Sequence, residues 1–176
     1  MIHTKLESAI NAQINQELAA SHTYLAMSAH FDAANLSGFA RWMELQHQEE
    51  TLHAKRLYRY LLDRGGKVSL ADINAPPAEF GPPRGVFELA LEQEKANTAA
   101  INALYELATS VNDHATKSHL QWFLDEQVEE EASIEEILGQ LDLAGSDSTA
   151  LLFLNDKLGA RSAASSSNGT GTSSGA

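Results

Sequence analysis

Residues 65–84 read GGKVSLADINAPPAEFGPPR and hold all four prolines of the chain, Pro76, Pro77, Pro82 and Pro83, together with Gly65, Gly66 and Gly81. A proline inside an α-helix removes a backbone donor and its ring collides with the preceding turn, so this stretch cannot be helical throughout. It reads as an extended crossover, long enough to let the next helix run parallel to the last. Upstream, Met1 to Ser37 contains neither glycine nor proline, and Gly38 is the only one before Gly65. That predicts two long helices over residues 4–34 and 38–64, hinged at Leu36-Ser37-Gly38. Downstream, between Gly85 and Ala144, the only glycine is Gly139 and the only polar break is Asn112-Asp113-His114, which predicts helices near 86–111 and 115–142. After Gly145, Ser146 or Asp147 can cap a short helix carrying Leu151, Leu152, Phe153, Leu154 and Leu158, ended by Gly159. The reading is all-α: a four-helix bundle with one long crossover and a short fifth C-terminal helix. Residues 1–159 form its single domain, and the Ser/Gly/Ala-rich residues 160–176 form a tail predicted to be disordered.

Composition narrows the chemistry. The 176 residues are 43% hydrophobic, enough for a core, with no cysteine and a net charge of -12. Without cysteine there is no disulfide scaffold, thiolate nucleophile or Cys-bound zinc or iron–sulfur cluster, so any metal must be held by carboxylate and imidazole. The acidic balance argues against a nucleic-acid binder and against attraction to anionic lipid. No apolar run reaches membrane-spanning length and the N-terminus does not resemble a signal peptide, so the cytoplasm is the expected compartment.

Each long helix carries an inward ladder at three-, four- or seven-residue steps, interrupted at mid-height by polar side chains. The ladders are Ile10, Glu17, Tyr24, Phe31; Phe39, Met43, Gln46, Glu50, His53, Leu57, Tyr60; Phe87, Leu91, Glu94, Thr98, Ile101, Tyr105; and Leu120, Phe123, Gln127, Glu130, Ile134, Ile137, Leu141. All four helices thus put a carboxylate into the core, where ionisation is costly unless a cation compensates it. Glu17 to Glu50 and Glu94 to Gln127 are both 33 residues, and a shift of 77 maps Glu17 on Glu94, Glu49 on Glu126, Glu50 on Gln127 and His53 on Glu130. The halves read as degenerate copies about a pseudo-twofold axis, with a binuclear metal site between them. Carboxylates with one or two imidazoles suit Fe(II) or Mn(II).

Asn15-Gln16-Glu17-Leu18, Tyr24, Gln48-Glu49-Glu50-x-x-His53, Glu94 and Trp122 through Glu126-Gln127-x-Glu129-Glu130-Glu131 resemble the ferritins, most closely the bacterial non-haem type, over roughly residues 4–158. The resemblance implies two close ferroxidase irons, one on Glu17, Glu50 and His53, the other on Glu50, Glu94 and Glu130, with Glu50 bridging. Gln127 and Glu130 stand where bacterioferritins carry a second Glu-x-x-His pair, which implies a more weakly held second iron. A third iron is implied on Glu49, Glu126, Glu129 and Glu130. Tyr24, seven residues from Glu17 on one face, is placed to hydrogen-bond the site or supply an electron. Leu52 replaces the haem-ligating Met of the bacterioferritins, which argues against haem. The implied activity is oxidation of Fe(II) by dioxygen, or by hydrogen peroxide, and storage of ferric oxide in a homo-oligomeric shell of twenty-four subunits.

The runner-up is a non-storing di-iron oxidase or peroxide scavenger of the rubrerythrin kind, whose usual Cys-ligated iron this chain cannot form. A DNA-protecting mini-ferritin and a purely structural bundle rank lower. Trp42 and Trp122 read as packing residues, Glu131 as part of an acidic face, and His3, His22, His30, His47 and His119 as surface or capping groups. Asp113 and His114 read as turn residues, an iron pore being the alternative that the family offers.

Overall fold

The computed structural model describes residues 2–161, so the predicted tail beyond Arg161 lies outside the described residues. Five helices appear in order among these residues: α1 (Thr4–Ala33), α2 (Ser37–Asp63), α3 (Pro83–Ser110), α4 (His114–Ala144) and α5 (Ser148–Gly159). Among the described residues there is no strand, and no helix is long and apolar enough to cross a membrane.

The turns carry the pseudo-symmetry into the backbone. Helix α1 is followed by Asn35 at φ 59° and α3 by Asn112 at φ 54°, the left-handed conformation that asparagine tolerates better than most residues. These two asparagines are related by the same 77-residue shift as Glu17 and Glu94. Helix α3 begins at Pro83, three residues before the predicted start, because a proline in the first turn gives up a donor that has no helical partner anyway. Helix α4 runs through Gly139 and stops at Gly145, whose φ is 53°. Asp147, one of the two predicted caps, accepts from the Thr149 and Ala150 amides to start α5.

The crossover travels the length of α1. Asn11 and Asn15, one turn apart, bind the backbone at Lys67, Ser69 and Ala71. At the far end, the His30 ring meets the Gly81 carbonyl at 2.9 Å. The chain therefore leaves the bundle end where α2 finished and enters α3 at the end where α2 began, which makes α2 and α3 parallel.

The apolar core is split in two. One cluster gathers Met27, Phe31, Phe39, Trp42, Phe87 and Ile134 with Leu154 and Leu158 of α5. The other holds Leu6, Ile10, Leu57, Ile101, Leu120 and Phe123. Between them lies a layer of buried polar groups. The predicted ladders on α1 and α4 are buried throughout, whereas Leu91, Thr98, Tyr105 and Tyr60 are only half-buried. On α3, Asn97 and Leu104 point inward where the prediction had Thr98 and Tyr105.

Candidate metal centre

Glu17 comes from the middle of α1, Glu50 and His53 from α2, Glu94 from α3, and Gln127 and Glu130 from α4, and none is more than 7% exposed. Oxygen or nitrogen atoms of Glu17, Glu50 and His53 lie within 4.8 Å of one another, close enough to share one ion after small rotations. A second group brings His53 together with Glu126 and Glu130. Among the described residues neither group includes Glu94, Glu49 or Glu129.

Most of the carboxylates are already held. Gln13 donates to Glu17 Oε1 at 2.8 Å and Asn97 to Glu17 Oε2 at 3.1 Å. Tyr24 donates its hydroxyl to Glu94 Oε1 at 2.6 Å, and Gln127 donates to Glu94 Oε2 at 3.3 Å. The Gln127 Oε1 accepts from Asn97, so both ends of that amide are engaged. Gln46 donates to Glu130 Oε2 at 2.6 Å.

Glu50 and His53 stand apart. Both Glu50 oxygens and His53 Nδ1 are buried without a hydrogen-bond partner, and their mutual approach of 3.6 Å is too long for one. An unpartnered carboxylate and imidazole inside an otherwise satisfied polar layer is a costly arrangement that a cation would relieve. The donors present, hard oxygen plus one imidazole nitrogen, fit iron.

Burial pushes the Glu50 carboxyl well up, reinforced by the charges of Glu94 and Glu17. Glu94 is raised to about 7, chiefly by burial, with the Tyr24 and Gln127 hydrogen bonds opposing. Burial likewise takes Glu130 to about 8. His53 is lowered by burial, which leaves a neutral imidazole able to accept a metal near pH 7. All three carboxyls are shifted toward their protonated forms, so loading the site with a cation displaces protons.

The remaining residues named from the sequence take a range of positions. Glu49 and Glu126 are half-buried and Glu129 is exposed. Arg161, the second residue of the predicted tail, donates its amide to the Leu158 carbonyl and lays its guanidinium on Glu49. His119 is neither a surface nor a capping group: it stacks on Tyr60 at 4.0 Å and packs by Phe123, and burial lowers its pKa to about 4. His47 is also drawn inside, with Nδ1 2.7 Å from the Ser21 hydroxyl, whereas His3 caps α1 as expected. Glu131 accepts from Thr98 rather than lying free on an acidic face. Asp113 caps α4 and pairs with Arg64 through both oxygens, which occupies it structurally, and His114 is exposed. Trp42 is core; Trp122 packs edge-on to His53 beneath Arg56. Sequence reasoning had Gln46 facing inward without its role and missed Gln13, Asn97 and Arg161; the three amides were signalled by standing one helical turn from a core carboxylate.

Fold and donor set together define a class: four-helix bundles with one crossover whose carboxylates and imidazoles project inward to a buried metal centre. Comparison with known proteins narrows it. The ferritin-like domain profile matches residues 7–144. A bacterial non-heme ferritin of Staphylococcus epidermidis is 41% identical over 92% of this chain and 98% of its own, and one of Staphylococcus aureus is 39% identical over 92% and 97%. The crystal structure of an open pore ferritin from Archaeoglobus fulgidus superposes with a TM-score of 0.91 at 42% identity, covering 92% of this chain and all of that one. The chain belongs to the ferritin family, and iron storage with ferroxidase activity is the function that membership carries.

Proposed function

We propose that the buried cluster is a dinuclear ferroxidase site in which Glu17, Glu50 and His53 hold one Fe(II), and Glu50, Glu94 and Glu130 hold the second, with Glu50 shared. The observation that carries this reading is the pair of unpartnered groups, Glu50 and His53, in a layer where the surrounding carboxylates are anchored by amides and a phenol. The anchored groups are pre-positioned and the free ones are ready to bind. His53, Glu126 and Glu130 also converge, so the second iron has an alternative seat toward Glu126. Gln127 acts by steadying Glu94. Glu49, Glu126, Glu129 and Glu130 form the third, transit position.

Two Fe(II) give one electron each to one dioxygen; with two protons this yields two Fe(III) and hydrogen peroxide, itself an oxidant for further Fe(II). The protein aligns the ions, excludes bulk water with the two apolar clusters and holds the Tyr24 hydroxyl on Glu94. Fe(III) then moves inward, hydrolyses and deposits as ferric oxide in a cytoplasmic shell of twenty-four subunits. Large apolar side chains left in solvent, Leu143 at 89% and Phe153 at 75%, support contacts between subunits.

Aerobic addition of Fe(II) in large excess over subunits, followed by particle sizing and electron microscopy, tests storage. The expected result is a large soluble particle with an electron-dense core. A small oligomer with precipitated iron would leave the oxidase alternative.

A further inference from the structure

The C-terminal helix is wired to the carboxylate cluster. Asn155 on α5 accepts from the Gly38 and Phe39 amides at the start of α2, and this docking brings the end of α5 back over α2. Two residues past α5, the Arg161 guanidinium lies over the Trp42 ring at 5.1 Å. Its Nη2 alone donates to both Glu49 oxygens, at 2.8 and 3.2 Å. Its other nitrogen donates to Gln46 Oε1, and the far end of that amide donates to Glu130 Oε2. An amide has one acceptor end and one donor end, so the guanidinium on its oxygen decides that the nitrogen faces Glu130.

We propose that Arg161 is a built-in counter-ion that occupies the Glu49 arm of the cluster and regulates acceptance of a third divalent cation beside the dinuclear centre. This rests on the ferroxidase reading above. A guanidinium is permanently charged and binds a carboxylate through two bonds, so it competes with a metal at Glu49 and does not leave by deprotonation. With Arg161 docked, Glu49 is taken and Glu130 is steered by Gln46. With Arg161 withdrawn, Glu49 is free to bind a cation and the Gln46 amide is free to turn. A cavity of about 170 Å³ lined by Trp42, Ser133, Glu136, Gln140 and Arg161 itself gives the side chain room to swing away, with Glu136 on its wall.

The test counts ions rather than turnover. Anaerobic Fe(II), and separately Zn(II), are titrated by equilibrium dialysis into the full-length protein, Arg161→Lys, Arg161→Gln and Arg161→Gln/Glu49→Gln, with folding checked by circular dichroism. The wild type should hold two ions tightly and a third weakly. Arg161→Gln should tighten the third about ten-fold or more, the scale on which a charge-assisted hydrogen bond competes. Arg161→Lys should fall between, and the double variant should lose the gain. Third-ion affinities within two-fold across wild type and Arg161→Gln would overturn the inference while leaving the dinuclear site intact. Fewer than two tight ions in the wild type would overturn the ferroxidase reading and the inference with it.

Discussion

Glu50 concentrates the conflict between stability and function. Its two oxygens are buried without partners, and the carboxyl is pushed up by burial and by the Glu94 and Glu17 charges. Replacing it should therefore move two observables in opposite directions. In metal-free protein, Glu50→Gln removes a carboxyl that the fold accommodates poorly, and stability should rise by about 1–2 kcal/mol in chemical denaturation. Rapid Fe(II) oxidation should fall by about 100-fold or more in stopped-flow absorbance, since second-shell changes alone cost 10–100-fold in metal sites. A variant that loses stability and keeps its fast phase would mean that the irons react elsewhere. Tyr24 offers a finer probe. Tyr24→Phe deletes the 2.6 Å hydrogen bond to Glu94, which burial and Tyr24 act on in opposite senses. The Glu94 carboxyl should rise further, and oxidation near pH 6 should slow more than at pH 8. An unchanged pH profile would remove Tyr24 from the mechanism.

At the scale of elements, Gly38 decides where α5 lies. A Cβ there would stand 1.7 Å from the Asn155 carbonyl oxygen, and that neighbour is backbone, so one of the two helices has to move. Gly38→Ala should cost about 2–3 kcal/mol as the α2–α5 contact opens, measured by denaturation of metal-free protein, with limited proteolysis reporting release of α5. Stability within 0.5 kcal/mol of the wild type would show that α5 contributes little. The chain signalled that a short helix ends at Gly159, but not why Gly38 is glycine: the hinge reading supplied a reason that the turn does not need, since Asn35 bears the positive φ. Close approach between distant segments leaves no local trace in a sequence.

For the whole molecule, pH should act in opposite directions at the central carboxyls and at the Arg64–Asp113 pair. Glu130 and Glu94 are raised to about 8 and about 7 from an ordinary 4.5, so between pH 4.5 and 8 the folded metal-free chain holds protons that the unfolded chain has lost. Stability must then fall as pH rises through that window. Asp113 is lowered from 3.8 to about 2 by its Arg64 partner, so its contribution is present above about pH 4 and is lost as pH falls toward 2. The metal-free melting temperature should peak near pH 4–5 and decline toward pH 8, and Zn(II) should flatten the decline while releasing protons, seen as a buffer-dependent heat in calorimetry. A metal-free protein most stable at pH 8 would contradict the protonated cluster.

The topology and the polar layer were legible because both rest on period and punctuation. Twenty residues rich in proline can only be a crossover in an otherwise helical chain, and Glu17, Glu50, His53, Glu94, Gln127 and Glu130 recur at helical steps whose inward direction follows from 3.6 residues per turn. Helical period and proline punctuation were therefore enough for the bundle and for the residues that line its middle. Which of those groups are tied up and which are free came from the packing of the helices. Gln13 and Asn97 anchor Glu17, Tyr24 anchors Glu94, Gln46 anchors Glu130, and Arg161 reaches from just past α5 to Glu49. Contacts from one helix to another, such as Tyr24 to Glu94 or Arg161 to Glu49, depend on how helices pack, and periodicity carries a residue's face but not its partner.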